Sequence, residues 1–344
     1  MKHKIKYLIF TLLLCSCEEG QHVSESFSEI DGFYVKKEQV QKTMTRSSGN
    51  KETFVSGDKI YLYGYAKLHV DSTATRFMPD AAGTTGIAYQ YDRDQDGWHR
   101  FQRISTSSDP EMGFWRTGQY HDFTAYHMDP QPASSNLILE MNETGLPPKE
   151  ILWGEVKNIF FSGEVHVIPK ITFKHQLSRI RVEVMHDMEE ITSENFEITR
   201  IEFDLDKKGA TFDLEKGLWK DIIPETNGHH IVEAFSPALV MTDEKFPKLV
   251  LTEVADWWVL PNCTLSDFKF SITQSSVNKE FIIDFENLFN GNDNGEPTTI
   301  VTKPGYITVL RVQFGEIKQI IFTVSLIPWD VQSEESSITD EELD

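Results

Sequence analysis

Cysteine is almost missing from this chain. Of 344 residues three are Cys, two of them, Cys15 and Cys17, at the very front and only Cys263 beyond. A lone thiol in the body of the chain can close no intramolecular disulfide, so stability must come from a packed core. The 39% apolar and 12% aromatic residues are enough for one. Cations are scarce as well, 33 Lys and Arg against 54 Asp and Glu, for a formal charge of −21. This net charge argues against nucleic acid and anionic lipid as direct partners; it favours solubility and names no ligand. Long apolar runs are wanting too. The stretch at residues 7–14 is too short to cross a bilayer as a helix. Apolar residues at sustained helical spacing do not occur, and the best helix candidate, residues 185–195, is short and acidic. There is no Gly-x-Ser-x-Gly elbow and no signature around Cys263. His229-His230 and the His121, His127 pair lack the spacing of a zinc site. Paired acids for glycoside hydrolysis stay open, because 54 carboxylates always offer pairs. The expectation is a protein with no catalytic residue, no metal and no cofactor.

What is present starts at the front. Lys2, Lys4 and Lys6 precede the apolar run, which ends in Leu14-Cys15-Ser16-Cys17. A cationic start, a short apolar core and a small residue before the cut describe an export signal. Leu three positions before Cys17, with Ser16 beside it, resembles the lipobox of bacterial lipoproteins. That resemblance implies diacylglycerol on the Cys17 thiol, cleavage before it and acylation of the new amino terminus. Cys15 fits the part poorly, because bulky Leu14 precedes it. Several acyl chains, at about 0.8 kcal/mol per buried methylene, hold a protein on a membrane. The plain alternative is an ordinary signal peptide. Glu18 and Glu19 resemble the signal that sends lipoproteins of Gram-negative anaerobes to the outer face of the outer membrane. They read equally as solvated charge in a tether.

From Ser28 onward the pattern is strand-like. Apolar residues alternate at Tyr61 and Tyr63, at Ile171 and Phe173, and at Ile180, Val182 and Val184. They do so again at Phe268, Phe270 and Ile272, at Phe281, Ile283 and Phe285, and at Ile320, Phe322, Val324 and Leu326. The phase shifts at Leu177-Ser178-Arg179, as a bulge or strand break requires. Turn signals fall at Ser56-Gly57-Asp58, Asp96-Gly97, Lys208-Gly209 and residues 291–295. The reading is all-β, with short strands in sandwich-like sheets. The division is a signal peptide at 1–16, a tether at 17–27, sandwich domains at 28–190 and 191–330, and an acidic flexible tail at 331–344.

Three features invite a sharper reading. Asp92, Asp94 and Asp96 before Gly97 resemble the start of a calcium loop, but position twelve is Arg103 where a bidentate Glu is needed. The plain reading is a hairpin tip turned by Asp-Gly. Trp257-Trp258 offers a sugar-stacking platform, although alternation sends one ring inward. His175 sits among alternating apolar residues and reads as a packed strand residue.

Four segments, in order, resemble the fimbrillin (Mfa-like) family, subunits and accessory adhesins of the type V pili of Bacteroidota. They are Thr45-Arg46 with Phe54-Val55-Ser56-Gly57-Asp58-Lys59-Ile60; Tyr89-Gln90-Tyr91 to Trp98, then Trp115 and Tyr120 to Tyr126; Phe173-Lys174-His175-Gln176-Leu177-Ser178-Arg179-Ile180; and the run from Ile320 to Pro328-Trp329. The likeness spans about residues 17–330 and is thinnest over 196–300, where Trp258-Val259-Leu260-Pro261 is its best echo. It implies two tandem transthyretin-like, Greek-key sandwiches and export as an outer-membrane lipoprotein at the cell surface. It also implies cleavage by a trypsin-like protease after an Arg or Lys, here Arg46 in the polar stretch 43–50, which reads equally well as an uncleaved connecting loop. The cut would remove a first strand at residues 28–39, and a strand from the next subunit, at 320–329, would fill the groove. The partners so implied are other pilus subunits by strand exchange, the outer membrane through the lipid, and a host protein or glycan as adhesion target. Two alternatives remain: a solitary surface lipoprotein that binds glycan or host protein, and a glycan hydrolase.

Overall fold

The computed structural model describes residues 28–30, 32–38, 54–78, 85–104, 114–147, 149–163, 167–187, 196–242, 244–274, 277–283, 299–314 and 320–328. Cys17, Arg46, residues 188–195, residues 291–295 and the acidic segment 330–344 lie outside them. The regular structure among the described residues is entirely strand. The first half holds β1 (Ser28–Glu29), β2 (Gly32–Lys37), β3 (Lys59–Lys67), β4 (Thr75–Met78), β5 (Ile87–Gln95), β6 (Trp98–Arg103), β7 (Phe114–Trp115), β8 (Gln119–His127), β9 (Asn136–Glu140), β10 (Leu152–Phe161) and β11 (Lys170–His175). The second holds β12 (Ser178–His186), β13 (Glu197–Asp213), β14 (Leu218–Val240), β15 (Thr252–Val259), β16 (Thr264–Gln274), β17 (Val277–Ile283), β18 (Ile300–Val301), β19 (Tyr306–Phe314) and β20 (Ile320–Pro328).

The first ladder closes on itself. Its order runs β3-β5-β6-β2-β11-β10-β8, and β8 pairs back with β3 over Tyr61–Lys67, while β4 flanks the far half of β3. Alternation explains why. Along β2, Phe33 and Val35 point inward while Tyr34 and Lys36 point out, as a period of two demands. The enclosed core includes Ile30, Phe33, Val35, Phe54, Leu62, Tyr89, Phe101, Phe123 and Phe173. Phe33 lies at its centre, edge-on to Tyr89 and to Phe123 with centroids 5.1 Å apart in each case. Gly32 lets β2 and β6 approach, since a β-carbon there would fall 2.4 Å from the Phe101 carbonyl oxygen.

Two open sheets make the second unit, one ordered β14-β13-β16-β17 with β9 and β18 added, the other β15-β12-β19-β20. Their facing sides bury Ile180, Val182, Val184, Phe203, Phe212, Trp257, Phe268, Phe270, Leu310 and Val312. The phase shift at Leu177 is therefore a crossover between units: β11 closes the first ladder and β12 enters the second. Strand pairing so divides the chain near residue 177, earlier than the expected 190, and β9 also crosses to pair with β13. A local phase shift looks the same for a bulge and for a crossover, which is why the two boundaries differ. Lys208-Gly209, expected as a turn, lies inside β13 instead. Gly209 is there because β9 comes close, with the Leu139 carbonyl oxygen 2.9 Å from where a β-carbon would stand.

The units meet on the outer face of β3 and β8, where Tyr61 stacks on Tyr126 at 5.1 Å beside Tyr63. The β13–β14 turn docks on it. Both Glu215 carboxylate oxygens accept from the Arg76 guanidinium at 3.2 Å, and Oε1 also accepts from the Tyr65 hydroxyl. Thr124 donates to the Glu215 carbonyl at 2.9 Å, and the Trp153 indole donates to the Leu214 carbonyl at 3.0 Å. Burial, then the Glu215 charge, pushes the Tyr63 phenol up; burial, then its hydrogen bond to Glu215, does so for Tyr65.

Phe33 thus carries the first core. Phe33→Ala should lower the unfolding free energy by about 3–5 kcal/mol, as for large-to-small changes at fully packed sites, read from urea titration. A loss below about 1 kcal/mol would show that β2 is not an integral part of that core.

Candidate functional site

Two strands stand out by where they sit. The first is β2, antiparallel to β6 through Phe33 and Phe101 and parallel to β11 through Val35 and Ile171. Its ends are held by backbone bonds from Tyr34 N to the Pro169 carbonyl at 2.9 Å and from Glu38 N to the Phe173 carbonyl at 2.7 Å. Phe54 covers the ring cluster behind it, edge-on to Phe101 at 5.0 Å and Phe173 at 6.3 Å. Lys37 pairs with Glu150 at 3.0 Å, and Glu150 lies 3.3 Å from His175. So His175 is a packed strand residue at an ion pair. Only residues 39–53, which include Arg46, join β2 to Phe54.

The second is β20, at the edge of its sheet and paired with β19 alone among the described residues. Phe322 packs on Phe268 at 5.3 Å and Val324 on the same core, while Ile321 and Leu326 are 44% and 41% exposed. No charged residue and no proline before Pro328 interrupts it. Sheets usually blunt a free edge with such residues, and this one has none of them.

Other sequence candidates do not assemble into a site. Asp96 and Gly97, with φ of 52° and 76°, form the two-residue turn between β5 and β6, with Gln95 opposite Trp98. Asp94 is taken up by Tyr91 at 3.0 Å and His99 at 2.6 Å, and Asp92 lies 3.7 Å from Arg93. No group of three or more His, Cys, Asp or Glu among the described residues could hold a metal ion. Trp257 is buried in the core and Trp258 carries the Arg179 guanidinium 5.6 Å above its ring, so no two-ring platform exists. His230 pairs with Asp204 at 2.7 Å while His229 contacts the Asn142 carbonyl at 3.0 Å. Burial pushes the Cys263 thiol up to about 12, so it packs and does not react. Among the described residues no helix is long and apolar enough to cross a membrane.

Sequence reasoning missed the Glu215 dock. It also missed a charged cover on the second unit, where Asp256 takes both Arg179 and Arg181, and Arg311 holds buried Glu183 at 2.9 Å. The alternation Arg179, Arg181, Glu183 opposite Ile180, Val182, Val184 was the available signal.

These features define a two-unit all-β protein with a closed N-terminal ladder and an open C-terminal edge. The chain belongs to the fimbrillin-like family, whose model matches residues 45–329. Among solved structures it is similar to a candidate cell adhesion protein from Bacteroides uniformis ATCC 8492, with 14% identity over 87% of this chain and 98% of that one and a TM-score of 0.50. A second, from Bacteroides ovatus ATCC 8483, matches with 12% identity, 90% and 100% coverage and a TM-score of 0.52. Both likenesses bear on the fold alone. No curated protein matches the chain.

One buried titratable group makes this architecture pH-sensitive. His121 is fully buried against Trp115 and Phe77, and burial holds its imidazole down at about 4. Between about 6.5 and about 4 the unfolded chain binds a proton that the native one refuses, so stability falls as pH falls through this window. In His121→Gln the loss of stability from pH 7 to pH 4.5 should shrink by about 2–3 kcal/mol. An unchanged loss in denaturant titrations would place the titration on another group.

Proposed function

We propose that the chain is a fimbrial (pilus) subunit or accessory tip adhesin, exported as a lipoprotein on Cys17 and assembled by protease-triggered strand donation. The observation that carries this reading is the opposition of β2 and β20. β2 is a buried stave of a closed ladder, tied to the rest of the domain by a polar stretch around Arg46. β20 is an apolar edge strand that pairs with β19 alone among the described residues. Cleavage after Arg46 would free the segment carrying Ile30, Phe33 and Val35 and open a groove floored by Phe101, Phe123 and Phe173. Such a groove is costly until another strand covers it. β20 repeats the spacing of the strand it would replace, Phe322-Thr323-Val324 against Phe33-Tyr34-Val35. With every second side chain inward, the same two ring and methyl sets would refill the core.

Arg46 is the processing site in this reading, and no residue has a catalytic role. Its partners are other subunits by strand exchange and the outer membrane through the lipid. A host protein or glycan is the adhesion target.

Limited digestion of the lipid-free protein by a trypsin-like protease tests it. The expected outcome is release of the segment up to Arg46 together with a detergent-resistant ladder of oligomers, absent for Arg46→Ala and for Phe322→Asp with Val324→Asp. Protein that loses the segment and stays monomeric would contradict the reading and favour a solitary surface lipoprotein.

A further inference from the structure

The outer face of the closed ladder carries a strip of cations, against the overall charge of −21. Because Phe33, Val35, Phe101, Ile171 and Phe173 point inward, their neighbours point out. Register then sets Arg93 beside Arg100, Arg100 beside Tyr34 and Tyr34 beside Lys170, across four adjacent strands. One step along, two ammonium groups lie over the Trp98 ring, Lys36 at 4.7 Å and Lys170 at 5.2 Å from its centre. Lys174 continues the strip at the end of β11. Counter-charge is thin. Arg93 has Asp92 at 3.7 Å and Lys174 has Glu38 at 3.4 Å, while Lys36, Arg100 and Lys170 have no ion pair among the described residues. The Arg100 Nε is moreover buried without a hydrogen-bond partner. Crowded like charges repel, and an unpartnered guanidinium nitrogen is costly, so the strip is built for an anion.

The chain itself supplies one. Residues 330–344 hold seven carboxylates and no cation. They follow β20, whose last residue, Pro328, is paired with Tyr306. The neighbouring Gly305 donates its N–H to the Leu177 carbonyl at 2.9 Å, and a side chain on it would stand 3.7 Å from His175. His175 ends β11 next to Lys174. The acidic segment thus leaves β20 at the foot of β11, and fifteen extended residues reach about 50 Å. The run along β11 from Lys174 to Lys170 is only about 13 Å.

We infer that residues 330–344 dock on the strip of their own chain, laying carboxylates over Arg100, Lys170 and Lys36 around Trp98. Docked there, the segment lies across Tyr34 and Lys36 of β2 and holds the end of β20 in its own sheet. It is a clamp on both strands. The docking stands by itself, and only its role as a brake on assembly rests on the strand-exchange reading.

A zero-length carbodiimide, which joins carboxylates to amines, tests this on monomeric lipid-free protein mixed from isotopically light and heavy copies. Links from Glu334, Glu335, Asp340, Glu341 or Glu342 to Lys36, Lys170 or Lys174 within one copy, lost in high salt, are expected. Links only between light and heavy copies, links only to lysines elsewhere, or no links from the segment would overturn the inference. Heparin, a sulfated polyanion, gives a second readout. A chain ending at Trp329 should bind it at least about tenfold more tightly than the full chain, because the tethered competitor is gone. That difference should vanish when Arg100→Gln and Lys170→Gln are added to both forms. Equal affinity of the truncated and full chains would show that the strip is unoccupied and would also overturn the docking. Neither readout involves polymerisation, so failure here and failure of strand exchange are separable.

Discussion

A sheet edge must be paired or covered, and this chain meets that constraint in opposite ways in its two halves. The first ladder closes, because β8 returns to β3, and β2 is one of the staves that makes closure possible. Phe33 is fully buried between Tyr89 and Phe123, so a strand that closes the ladder also fills it. The second unit is open, and its last strand, β20, presents an apolar border of backbone donors and acceptors. Everything proposed about assembly comes from this asymmetry: one unit can receive a strand only by losing one, and the other has a strand to give.

Two units joined by one chain need contacts to hold them together. The dock of the β13–β14 turn on β3 and β8 does this with partly buried, charge-assisted bonds. Glu215 takes Arg76 through both oxygens and Tyr65 through one, and Trp153 closes over Gly217, where a β-carbon would meet the ring at 2.4 Å. The stacked Tyr61 and Tyr126 supply the apolar part of the contact. On the far face, Asp256, Arg179 and Arg181 lay charged side chains over β12 and β15.

Alternation made much of the fold legible, because a period of two is a local property. It found β3, β12, β16 and β20, and the Gly57 and Asp58 turn, where Val55 N–H donates to the Asp58 carboxylate at 2.7 Å. It did not show that β12 belongs to the second unit, since a phase shift carries no information about which sheet comes next. Nor did it show β14, where residues 225–228 are a bulge of several residues opposite Asp206, inside one long strand paired to β13. The Glu215 dock joins residues more than a hundred positions apart, a distance that no window of sequence covers. Of the site, the family resemblance implied a first strand at residues 28–39, which carries the inward Ile30, Phe33 and Val35. Their place between β6 and β11, parallel to one and antiparallel to the other, was not legible.

The most direct test of the account is the amino terminus of the protein recovered from cells, measured by mass spectrometry separately in membrane-bound and high-mass shed material. Strand donation expects the high-mass form to begin at Ser47, with the lipidated Cys17 form confined to material that has not assembled. High-mass assemblies whose subunits all still begin at Cys17, with β2 in place, would contradict it.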